Sequence, residues 1–263
     1  MVKLPVLLRS YVLFCKFRSE AIDSGGLNLS DLDFIFPTTL LPLTDLVISE
    51  KPFLILPPKN PDVAKHVEYM LGDNVVTNGP RLPLRFLPED RSKADDVIRD
   101  IADSQNSGNV CCGESAFKYL LSELVDNIYE HSEFSSALVM AQRYDKMKFV
   151  EMCFFDNGLT IPGALAKAGK KLSALQAVQA AVSGTSTKGL ERGFGLGSSI
   201  KLATAPRGLN GRFLLVSGTA ALSVEPDKAE KFDLSGPLGL GGTLVSIRIP
   251  FSSKDVNIYD YVS

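Results

Sequence analysis

The sequence predicts an α+β protein whose helices are layered on one face of a mixed sheet, preceded by a small unit of short alternating strands and helices. Three observations carry this reading. Residues 1–88 are rich in Leu and Pro, with short apolar runs punctuated by polar loops. From about residue 89 the pattern lengthens, and long helical segments are followed by apolar strands. Hydrophobic residues make up 45% of 263 positions, enough to form a sizeable core, and no internal repeat or low-complexity segment is evident.

Composition removes several function classes. Lys and Arg total 28 against 30 Asp and Glu, a net charge of -2. That balance supplies no basic face for a phosphate backbone, so no nucleic acid partner is expected. Apolar runs are broken long before the ~20 residues a membrane span requires. The opening MVKLPVLLRSYVLFCKF resembles a signal peptide, but Arg9 and Lys16 interrupt it and no small-residue cleavage site follows. A soluble, cytoplasmic protein is expected. Cysteine usage agrees: Cys15, Cys111, Cys112 and Cys153 form no CxxC pair. With His66 and His131 the only histidines, a zinc site is not expected. Cys153, inside FVEMCFF, reads as a buried small hydrophobe.

In the front segment, residues 27–36 read as a strand and 38–48 as a short helix containing Pro42. Residues 52–58 read as a second strand and 60–71 as a second helix, with Asn60 as N-cap and Pro61 in the first helical position. Turn signals at Asn78, Gly79 and Pro80 precede a further strand at 82–87. His66 reads as a solvated residue of the helix surface.

In the second segment, Ala94, Val97, Ile98 and Ile101 have helical spacing within 91–105. A longer helix spans 114–132, where Phe117, Leu120, Leu121, Leu124, Val125 and Ile128 define a buried stripe. Strands follow at 136–144 and 148–155, a helix at 173–184, and another after Gly197. Strands at 212–218, 220–226 and 242–251 finish the chain.

Four groups of residues carry chemistry. Glu123, Asn127 and His131 follow each other at four-residue steps, a polar stripe drifting ~40° per step beside the buried one. By itself such a stripe is an ordinary solvated face; beside a cleft it is a lining. A buried strand ends in Asp156, Asn157 and Gly158, where a carboxylate can accept from a ligand amine and the backbone can approach closely. Gly193, Gly195 and Gly197, in GFGLG, open a helix whose free N–H groups and dipole suit an anion. Gly241, Gly242 and Thr243 open the last strand.

The order ELVDNIYEH, FFDNG, RGFGLG and GGT resembles the histidine-kinase-type ATPase superfamily, over roughly residues 90–251. The resemblance implies a Bergerat-type two-layer α/β sandwich over 89–263 that binds ATP and Mg²⁺. It implies that Asn127 coordinates Mg²⁺ and that Glu123 acts as base or orients the nucleophile. Asp156 would accept from the adenine amino group with Thr243 in support, and Gly158 would let the purine pack against the main chain. Gly193, Gly195, Leu196 and Gly197 would wrap the phosphates. Ser186, Thr187 and Lys188 would belong to a lid over them, mobile until nucleotide binds. The pattern departs from the family where Thr160 replaces the second glycine of DxGxG, and no histidine phosphoacceptor box is present. Glu123 favours an enzyme, in which ATP is hydrolysed or its γ-phosphate is transferred to a protein partner as in anti-sigma-type kinases, whereas the two departures favour the alternative. The alternative is a non-catalytic, ATP-gated interaction module, with a partner protein or a second copy.

Residues 1–88 resemble, more loosely, the STAS domain of anti-sigma-factor antagonists. Thr38 and Thr39 occupy the turn where that family carries a phosphorylated residue.

Overall fold

Apolar residues at three- and four-residue steps turn Val6–Ser24 into the first helix, α1, with Leu7, Leu8, Tyr11, Phe14 and Cys15 on its buried side. It stops at Gly25, whose φ of 68° is left-handed and whose amide donates to the Ala21 carbonyl over 2.9 Å. No element was expected over these residues. The computed structural model describes residues 4–49, 54–71, 84–111, 113–184, 195–252 and 254–261.

Further elements follow in chain order: β1 (Gly26–Asn28), α2 (Pro37–Ser49), β2 (Leu54–Leu56), α3 (Pro61–Leu71) and β3 (Leu84–Phe86). Then come α4 (Ala94–Gln105), α5 (Glu114–His131), β4 (Ala137–Tyr144) and β5 (Phe149–Asp156). Last are α6 (Ile161–Lys167), α7 (Ala174–Val182), α8 (Gly195–Thr204), β6 (Arg212–Gly218), β7 (Ala220–Glu225), β8 (Lys228–Asp233) and β9 (Leu240–Pro250). The strand expected over residues 27–36 shrinks to β1, because Asn28 turns the chain by accepting the Ser30 amide at 3.0 Å. His66 is half-buried rather than solvated, and burial lowers its pKa.

β1 and β2 form a small parallel pair. The main sheet has seven strands in the order β3-β4-β5-β9-β6-β7-β8, and every neighbouring pair is antiparallel. The expectation of a mixed sheet is thereby corrected: β9 returns between β5 and β6, running against both. β8 was not expected from sequence. Its alternation is charged rather than apolar, as suits an edge strand that must not recruit another chain.

Helices cover both faces, not one. On one face α4, α5, α7 and α8 pack on Val139, Val150, Met152, Phe154, Phe213, Leu215 and Ile247. On the other, α1 and α2 pack on Leu138, Met140, Cys153, Phe155, Leu214, Val216 and Leu244. The alternation of side chains along a strand sorts these two sets. The sequence divides the chain at residue 88; in the structure the front helices complete the sheet's second face, and β3 extends its edge.

That packing decides the fate of the two threonines. Thr38 and Thr39 are 0% and 1% exposed. Thr38 donates to Glu151 Oε1 from its hydroxyl at 2.6 Å and its amide at 3.1 Å, and Thr39 donates to the Ser10 carbonyl at 2.7 Å. They are core hydrogen-bonding residues, closed to a phosphorylating enzyme while the fold is intact. Among the described residues no helix is long and apolar enough to cross a membrane.

Candidate functional site

Three neighbouring strand ends build the site. β5 closes on Asp156, β9 enters through Gly242 and Thr243, and β6 closes on Ser217 and Gly218. Asp156 is the register partner of Thr243, and Thr243 of Ser217. Alternation puts this row on the α5 side. Asp156 continues the series Val150, Met152, Phe154, Thr243 begins the series Val245, Ile247, and Ser217 continues Phe213, Leu215.

Asp156 is 3% exposed, and its Oδ1 accepts the Gly158 amide at 3.0 Å. Burial pushes its carboxyl up to about 7, against the lowering effect of the Gly158 amide and the Ser132 hydroxyl. That hydroxyl, though near enough to act on the carboxyl, is buried and makes no fully formed hydrogen bond. A buried carboxyl beside an orphaned hydroxyl is a polar spot in an apolar core, the condition under which ligand-binding groups are kept.

Backbone contacts tie this strand end to the C-terminus of α5. The Leu159 amide donates to the Ser132 carbonyl at 2.5 Å. A Cβ on Gly158 would lie 2.1 Å from the same oxygen, so the missing side chain makes room for α5. This packing reason for the glycine stands beside the expected purine contact. Gly242, at φ 117°, has a Cβ direction ending 2.0 Å from the Asp156 carbonyl oxygen, so only glycine lets β9 pass Asp156 so closely.

Along α5 the buried stripe is as expected: Phe117, Leu120, Leu121, Leu124, Val125 and Ile128 are all 6% exposed or less. Glu123, Asn127 and His131 are half-buried beside it. Asn127 donates from Nδ2 to the Glu123 carbonyl at 2.7 Å, and its Oδ1 can only accept. Burial, with the charges of Asp126 and Glu130, raises the pKa of Glu123. At 1.5 Å per residue Asn127 and Glu123 stand ~7.5 and ~13.5 Å back along the axis from Ser132. The polar stripe therefore leads away from the Asp156 corner along one helix.

Gly195, Leu196 and Gly197 open α8 as far as the described residues show it. A Cβ on Gly197 would lie 2.7 Å from the Val182 carbonyl, so this stretch sits close against the end of α7. Ser186, Thr187, Lys188 and Gly193, and with them the expected lid, lie outside the described residues. Thr160, the departure from the glycine pattern, caps α6 by accepting the Gly163 amide at 3.0 Å.

Two residues of this corner carried no signal in the sequence. Ser217 ends a run, RFLLVSG, that reads only as a strand, and Ser132 looks like an ordinary helix end. Their roles come from register and from the approach of β5 to α5. Cys153 is a buried free thiol, as expected of a small hydrophobe, and Cys111 is buried as well. Comparison of the chain with family models, with curated proteins and with solved structures finds no match.

Proposed function

We propose that this protein binds Mg·ATP at the corner between α5, Asp156 and α8, in the manner of the histidine-kinase-type ATPases with their Bergerat-type fold, and turns it over slowly. The observation that carries the reading is the buried Asp156 beside its register partner Thr243, at the end of the α5 polar stripe. The order of the four motifs supports it, as does the antiparallel sheet with helices on the site's face.

The donor set fits the groups it would hold. Asp156 and the orphaned Ser132 hydroxyl offer polar partners for an aminopurine edge. Asn127 offers one hard oxygen, which suits a cation that keeps most of its shell as water and phosphate. Bound Mg²⁺ would neutralise phosphate charge and orient the terminal phosphoryl group. Gly195 and Gly197 would bring amides at the opening of α8 to the phosphates. Glu123, with its raised pKa, would take the proton of the attacking water or partner hydroxyl. Asp156 would hold the base, and its burial excludes competing water.

Calorimetric titration of the full chain with Mg·ATP and Mg·ADP tests the binding step. A folded protein that gives no binding heat and no thermal shift with either nucleotide overturns the reading. A γ-labelled ATP assay, alone and with candidate partner proteins, then separates hydrolysis from transfer and from binding without turnover.

A further inference from the structure

The hydroxyl of Ser217 lies directly behind that of Thr243. The two residues are register partners on β6 and β9, with their oxygens 2.9 Å apart. Ser217 is fully buried, and the strands slip register immediately after it, at Ser217/Gly218. It is therefore held at the last regular pair before a bulge.

A serine hydroxyl has one proton and two lone pairs. One lone pair of Ser217 is taken by the Ile161 amide, at the start of α6, over 2.8 Å. An amide N–H can only donate, so it leaves Ser217 its proton and one lone pair, and the contact with Thr243 admits either donor. The Ser217 proton then has two acceptors in reach, Thr243 Oγ1 at 2.9 Å and the Gly242 carbonyl at 3.5 Å. The shorter contact is far better placed. With Ser217 donating to Thr243, the Thr243 hydroxyl keeps its own proton for the site. Successive donors polarise one another, which strengthens the last one.

We propose that Ser217 is a positioning residue that makes Thr243 a hydrogen-bond donor to the bound base and so sets which base edge the site accepts. The inference rests on the nucleotide-site reading given above. Asp156, the other register partner of Thr243, is an acceptor once ionised, as at pH 8. An acceptor beside a donor matches a base edge on which an exocyclic amine adjoins an unprotonated ring nitrogen. Adenine and cytosine present that edge. Guanine and uracil present a carbonyl beside a protonated ring nitrogen, which opposes both groups and leaves them unpaired on binding. Ser217 thus turns a hydroxyl that could serve either sense into a one-way reader.

The experiment is calorimetric titration at pH 8 with Mg·ATP, Mg·GTP and Mg·CTP, on the full chain and on Ser217→Ala, Thr243→Val and the double variant. Ser217→Ala is expected to lower the ATP-to-GTP affinity ratio about 5- to 10-fold, with CTP following ATP. Thr243→Val should lower the ratio by a similar factor, and the double variant no further, because the two residues act in series. Ser217→Cys keeps the shape but donates weakly, and must show the same fall in ratio if Ser217→Ala does not fold. A Ser217 variant that is less stable yet keeps the wild-type ratio overturns the proposal, since a merely structural role moves stability and not base choice. Parent protein that binds no nucleotide instead overturns the site reading itself, and the two failures are distinct.

Discussion

Glu151 and Arg248 face each other across β5 and β9 at 0% and 8% exposure, with Arg248 Nε and Nη2 at 2.9 and 2.6 Å from one oxygen, Oε2. The second carboxylate oxygen accepts from Thr38 at the start of α2. The rings of Phe36 and Phe149 cover the guanidinium at 4.4 and 4.3 Å from its carbon. This pair lies on the face opposite Asp156, five positions back along the same strand, and it pins the front helices to the sheet. A buried ion pair is not by itself a large source of stability, but removing one partner strands the other charge in the core. Arg248→Met should cost about 3–5 kcal/mol in urea unfolding, and Arg248→Met with Glu151→Leu should recover most of it. A single variant as stable as the parent would mean that water reaches the pair.

Asp156 should trade stability for binding. Below about pH 4 its carboxyl is protonated in both folded and unfolded chains. Between about pH 4 and 7 the unfolded chain ionises while the folded one holds its proton, so stability falls as pH rises and levels off above about 7. Asp156→Asn escapes this loss. Its melting temperature should exceed the parent's at pH 8, by a stability difference on the order of 2–4 kcal/mol, and approach it at pH 4. The same variant should bind ATP roughly 10- to 100-fold more weakly. Equal melting curves at pH 8 would show that the carboxyl is not held up by burial.

Glu123→Gln separates turnover from binding. The raised pKa of Glu123 comes from burial first and then from Asp126 and Glu130. As a base it must be ionised, so turnover should rise with pH through that raised value. In Glu123→Gln the turnover should drop by about 100-fold or more and the rising limb should vanish, with ATP affinity changed by less than about 3-fold. Unchanged turnover would remove Glu123 from the chemistry.

Gly158 can be tested without any ligand. The Cβ of an alanine there would meet the Ser132 carbonyl oxygen at 2.1 Å and its carbon at 2.7 Å, backbone atoms that no rotamer change can move. Gly158→Ala should lower the stability of nucleotide-free protein by about 3 kcal/mol, seen as a lower urea midpoint at constant slope. Normal stability with lost ATP affinity would assign the glycine to ligand contact instead.

What the sequence determines by itself is local. The period of 3.6 writes the buried and polar stripes of α5 directly into residues 114–131, so Glu123, Asn127 and their apolar neighbours fall where expected. Strongly apolar strands are equally legible, and FVEMCFF becomes β5 with every residue buried. The charged edge strand β8 is not, because its exposed, polar composition serves to repel other chains rather than to fill a core. α1 carries a helical apolar spacing, but only the bare second face of the sheet explains why those residues are there. Tertiary structure alone decides register. Nothing local in the sequence states that Asp156, Thr243 and Ser217 share one row, or that Glu151 will meet Arg248 across 97 residues. Such contacts arise because antiparallel pairing aligns distant segments atom by atom, and a slip of one residue would send every side chain to the opposite face.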